Sequence, residues 1–86
     1  MSTRQEVYSA IDGERDYQNL QRETGRFTEV VLPVSGELLC IQEYLDKAVK
    51  VYVSSPGEAP PEVLNGLRKI AAMCVRAMEH HGALTR

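Results

Sequence analysis

The sequence predicts an all-α fold, an N-terminal helix followed by an antiparallel helical hairpin, in a single domain spanning residues 1–86. Three observations lead there. Apolar residues recur at spacings of three and four along three separate segments. The two gaps between those segments hold all four prolines and two of the six glycines, in "GRFTEVVLP" and "SSPGEAPP". The chain is also short, 86 residues with 43% apolar and 26% charged side chains, which suits one small globular unit and excludes a disordered tail.

The first helix is expected from about Thr3 to Arg22. Its inward positions begin with Val7 and Ile11 and then turn polar, passing through Glu14 or Arg15 to Gln18. An inner face that becomes polar is unusual and marks "ERDYQNLQRE" as a candidate binding element. Gly13 interrupts this helix at a cost of about 1 kcal/mol relative to Ala, which allows a kink. The stretch from Glu23 to Pro33 reads as a connector: Gly25 ends the helix, "FTEVVL" is β-prone but too short for a sheet, and Pro33 stops any continuing element.

The second helix is expected from Ser35, as cap, to about Val53, with Leu38, Ile41, Leu45, Ala48 and Tyr52 along one face. After the "SSPGEAPP" turn, the third starts at the Pro60-Pro61 pair. Val63, Leu67, Ile70, Cys74 and Met78 form its stripe, with Leu64, Ala71 and Val75 beside it, and Gly82 closes it in a left-handed cap. The short connection makes the last two helices an antiparallel hairpin. A domain of this size buries only about 60 to 65% of the surface its unfolded chain exposes. With no Trp and one Phe, the aliphatic core and the wide third stripe predict a homo-oligomer.

Composition narrows the function classes. The apolar runs are far shorter than the roughly 20 residues that span a bilayer, so a soluble, cytoplasmic protein without membrane contact is expected. A net charge of -2 argues against general nucleic-acid binding. The charge is uneven, and the segment after Pro61 holds Arg68, Lys69, Arg76 and Arg86 against Glu62 and Glu79, so an anion belongs there. Cys40 and Cys74, flanked by apolar neighbours, read as buried thiols. His80 and His81 are adjacent, point about 100° apart on a helix and do not chelate one ion. Glu37, Glu43 and Asp46 share part of a helix surface, but Glu43 with Lys47 and Asp46 with Lys50 are explained as i, i+4 ion pairs. No nucleophile elbow or phosphate loop is present. No metal site, cofactor or catalytic residue is therefore assigned.

"AIDGERDYQ", "SGELLCIQEYLDKA" and "LNGLRKIAAMCVRAMEHHGA" resemble the opening helix and the two metal-binding helices of phage MazG-like proteins, over most of the chain. The resemblance implies an all-α bundle completed by oligomerisation, with a nucleotide site between helices. Catalytic members hold Mg²⁺ with clustered acids on both metal helices. Here Glu37 matches, but Leu38 and Cys40 or Ile41 follow it, and Asn65 with Arg68 or Lys69 stands where the second acidic motif belongs. A cation in a ligand position repels the metal, which points from turnover to binding.

Arg15, Arg68 and Lys69 would then meet phosphate directly, Tyr17 or Tyr44 would stack a base, and Gln18 and Glu37 would complete a polar pocket. The competing reading of Arg15 is a simple ion pair with a carboxylate of the second helix. The function expected is non-catalytic sequestration of a (cyclic) nucleotide immune signal, in the manner of phage sponges that counter CBASS and Thoeris defence. The alternatives are a MazG-type nucleoside triphosphate pyrophosphohydrolase and a helical protein-interaction module.

Overall fold

The computed structural model describes residues 1–23, 31–54 and 61–86, and these form three helices with no strand among them: α1 (Arg4–Glu23), α2 (Val34–Ser54) and α3 (Pro61–His81). The β-prone run "FTEVVL" and the turn "SSPGEAPP" lie mostly outside the described residues.

Each helix end has a local cause. Thr3 and Glu6 form a reciprocal capping box at the start of α1: Thr3 Oγ1 accepts from the Glu6 amide at 3.2 Å, and Glu6 Oε1 accepts from the Thr3 amide at 3.2 Å and from its hydroxyl at 2.9 Å. These bonds to Thr3 hold the Glu6 carboxyl below its ordinary range. α2 begins one residue earlier than expected, at Val34, and Ser35 lies inside its first turn rather than capping it. The Pro33 carbonyl accepts the first bond instead, from the Glu37 amide at 3.0 Å. At the end of α3, Gly82 adopts φ +105° and its amide donates to the Met78 carbonyl at 2.8 Å, closing the last turn as the glycine's position foretold. α1 runs unbroken through Gly13.

α3 is the central helix. α1 and α2 both pack on it and, among the described residues, do not approach each other. α2 and α3 are antiparallel: Glu37 near the start of α2 meets Arg76 near the end of α3, and Ala48 further along meets Gly66 near its beginning. A Cβ on Gly66 would sit 3.4 Å from that of Ala48, so a residue without a side chain permits the close approach.

The core is small and mixed. Ala72 and Met73 of α3 are its buried apolar residues, and they are joined by three buried charged residues: Glu14, Arg15 and Glu37. Cys40 and Cys74, expected as buried thiols, are free and half-buried. The apolar face expected for α2 is also only partly inward. Ile41 and Ala48 turn toward α3, whereas Leu38, Leu45 and Tyr52 remain 60, 48 and 46% exposed.

A candidate polar site built from three arginine and glutamate pairs

Three carboxylates in or beside the core each face one guanidinium. On α1, Glu14 Oε1 accepts from Arg68 Nε at 2.8 Å. Its neighbour Arg15 reaches the other way along α3 and grips Glu79 with a fork, Nε to Oε1 and Nη2 to Oε2, both at 2.9 Å. From α2, Glu37 Oε2 accepts from Arg76 Nη2 at 2.8 Å. Charge-assisted and forked bonds of this kind are the strongest hydrogen bonds available to side chains.

The helix wheel explains why "ERDYQ" supplies such residues. Successive helical residues turn by about 100°, so Glu14, Arg15 and Gln18 share the face toward α3 while Asp16 and Tyr17 point outward. Gln18 supports Arg15 directly, its Oε1 accepting from Nη1 at 3.0 Å. The opening helix therefore uses its polar inner stripe to dock on α3. Adjacent residues of α1 engage Arg68 and Glu79, eleven positions apart, so α1 crosses α3 rather than lying along it.

Electrostatics follow the geometry. The hydrogen bond from Arg15 lowers the Glu79 carboxyl below its ordinary range and, reciprocally, Glu79 raises Arg15 against the opposing effect of burial. Glu79 sits in the last turn of α3, where a helix dipole disfavours an anion, so its position requires a cation nearby.

Arg76 is less complete. Its Nε is buried and has no acceptor among the described residues. His80 Nδ1 lies 3.9 Å from Glu37 Oε1, too far for a hydrogen bond. His81 turns elsewhere and donates from Nε2 to the Leu32 carbonyl at 2.8 Å, which ties the end of α3 to the residues that precede α2. The two histidines thus serve different neighbours, and among the described residues no group of three His, Cys, Asp or Glu side chains converges on a point that a metal ion could occupy.

Of the residues singled out in the sequence, Arg15, Gln18, Glu37 and Arg68 come together around α3. Arg68 also donates to the Asn65 side chain at 3.0 Å. Arg15 pairs with a carboxylate, but with Glu79 of α3 and not with one on α2. Lys69 is exposed and, among the described residues, has no carboxylate partner. Tyr44 is 38% exposed, with Lys47 Nζ lying 4.9 Å from its ring centroid. Tyr17, half exposed on the outer side of α1, is not brought to the Arg15 face. On α2, Glu43 and Lys47 form their exposed pair at 3.8 Å, and Asp46 and Lys50 form none.

Glu14, Arg76 and Glu79 were not marked as site residues in the sequence. The dipole-disfavoured position of Glu79 and the regular spacing of Arg68, Ala72 and Arg76 were the available signals. The chain matches no protein-family model, no curated protein and no solved structure. The likeness to MazG-like proteins rests on the three sequence motifs.

Proposed function

We propose that the protein binds an anionic, nucleotide-type small molecule without turning it over, and does so as a homo-oligomer. One observation carries the reading: Glu37, the one acid that matches a metal-ligand position of the hydrolase motifs, is held by Arg76 at 2.8 Å, while Asn65 with Arg68 or Lys69 stands where the second acidic motif belongs. A carboxylate bound to a guanidinium has lost much of its capacity to ligate a divalent cation, and the guanidinium itself repels one.

The binding region proposed is the furrow over α3 between α1 and α2. Helical spacing puts Asn65, Lys69, Arg76 and His80 along its floor. Lys69 supplies an ammonium that has no carboxylate partner among the described residues, and Arg68, with 38% of its side chain exposed, can offer its Nη groups to a phosphate oxygen while Nε keeps the buried Glu14. Tyr44, 38% exposed on α2, is the proposed stacking platform. Sequestration of a cyclic nucleotide or ADP-ribose type of defence signal is the biological role the MazG-like resemblance favours, because it requires tight binding and no chemistry.

The test is a thermal-shift screen of mono-, di- and cyclic nucleotides and ADP-ribose derivatives, each with and without Mg²⁺. A ligand at 100 times its dissociation constant stabilises the folded state by about 2.7 kcal/mol. A metal-independent shift by at least one nucleotide is the expected outcome. Conversion of a nucleoside triphosphate to monophosphate and pyrophosphate would establish the enzyme instead, and no shift with any nucleotide would leave the interaction module.

A further inference from the structure

The chain exposes far more surface than a folded protein of its mass should. A 9.6 kDa monomer is expected to expose about 5,100 Å², and this one exposes 6907 Å². The excess, roughly 1,800 Å², is about twice the 800 Å² or so that each partner contributes to a stable interface. Its Cα radius of gyration of 14.1 Å likewise exceeds the roughly 12 Å expected for a compact chain of this length.

Exposed apolar residues form a row along one side of the α2–α3 hairpin. On α2, Leu38, Leu45 and Tyr52 recur every seven residues and are 60, 48 and 46% exposed. On α3, Leu64, Leu67 and Met78 are 55, 53 and 46% exposed, and with Ala71 and Cys74 they follow a strict three-four spacing from 64 to 78. These are the seams of a helix bundle.

Neither seam coincides with the contact inside the chain. On α2 that contact is marked by Glu37 and Ala48, and the seam is rotated from it by roughly 60 to 100° in the sense of advancing residues. On α3 the contact runs through Gly66, and the centre of the seam at Leu67 and Met78 is displaced by about 100° in the same sense. Antiparallel helices wind in opposite directions when viewed from one end, so equal displacements bring both seams to the same side of the hairpin. That side is opposite the furrow where Lys69 lies.

We infer that this face packs against the same face of a second copy, hairpin on hairpin, to make a four-helix bundle with α1 of each chain on the outside. A two-fold arrangement satisfies both seams with the residues they already have, because each chain presents two heptad helices and accepts two. The inference specifies the self-association included in the proposed function and does not depend on any ligand.

Sedimentation equilibrium of the protein without nucleotide tests it. Wild type is expected to be a dimer or a multiple of dimers at micromolar concentration. Leu45→Ala and Leu67→Ala should each raise the dimer dissociation constant at least tenfold, and the pair Leu45→Glu/Leu67→Glu should abolish association. Leu39→Ala and Leu20→Ala, at residues 67 and 55% exposed on other faces, are expected to change it less than threefold. Should the double glutamate variant unfold, the two alanine variants still decide the matter. A wild type that is monomeric at 50 µM, or association weakened by Leu39→Ala or Leu20→Ala and not by the seam variants, overturns the proposal. A failed nucleotide screen would leave this result unchanged.

Discussion

Glu37 is 2% exposed and its pairing with Arg76 is the most demanding feature of the fold. Replacing Glu37 by Leu keeps the volume and removes the one acceptor that Arg76 has among the described residues, leaving a cation whose Nε already has none there. Breaking a buried ion pair from one side costs about 3–5 kcal/mol, because the surviving charge stays desolvated. Arg76 retains 29% of its side-chain exposure and can partly turn to water, so the lower end, about 3 kcal/mol, is expected.

For a domain of this size that loss corresponds to a fall in Tm of roughly 12 to 24 °C, against a total stability of about 4–13 kcal/mol. The double variant Glu37→Leu/Arg76→Met removes both charges. It should recover to within about 1 kcal/mol of wild type, since replacing a whole buried pair by apolar groups is often neutral or stabilising. The assay is chemical denaturation followed by circular dichroism, at one fixed protein concentration because self-association contributes to apparent stability. The coupling energy from the double-mutant cycle should be at least about 2 kcal/mol. A Glu37→Leu loss below 1 kcal/mol, or a double variant whose loss equals the sum of the singles, would refute the reasoning.

Other expectations follow from the same contacts. Gly13 has open space where a side chain would go, so Gly13→Ala should stabilise the protein by about 0.5–1 kcal/mol, read as a rise in Tm of several degrees. Glu79 is held below its ordinary range by Arg15, so its contribution is complete above the unfolded glutamate value of about 4.3 and is lost as pH falls through the lower folded value. Thermal melts between pH 3 and 7 should therefore fall off on the acid side, and Glu79→Gln should flatten that part of the profile while lowering stability at pH 7. Purified protein with Mg²⁺ or Mn²⁺ should release no pyrophosphate from nucleoside triphosphates in a coupled phosphate assay. Turnover abolished by Glu37→Gln would favour the MazG-type enzyme.

The three helices were legible because their ends carry chemistry that acts locally. Thr3 with Glu6, the proline at 61 and the glycine at 82 each satisfy or forbid particular backbone bonds, and α1 and α3 begin or stop within a residue of where these demand. The polar turn taken by the inner stripe of α1 was legible too, since Glu14, Arg15 and Gln18 fall at helical spacing. Their partners were not. Whether Arg15 meets α2 or α3 depends on how α1 crosses the hairpin, and periodicity gives the face of a helix without its crossing. The stripe on α2 exposes the same limit. Leu38, Leu45 and Tyr52 form a regular seam, but the contact inside the chain is centred a quarter turn away, on Glu37 and Ala48. A heptad pattern says that a face is to be covered; it does not say by which helix.

The central claim is that the furrow over α3 holds an anionic nucleotide through a few placed cations and no metal. Isothermal titration with the best nucleotide from the thermal screen, in buffer containing EDTA, tests it most directly. Binding should persist without Mg²⁺, weaken at least tenfold in both Arg68→Ala and Lys69→Ala, and remain unchanged in Arg86→Ala at the exposed C-terminus. Binding that vanishes with EDTA, or that survives both Arg68→Ala and Lys69→Ala undiminished, would contradict the account.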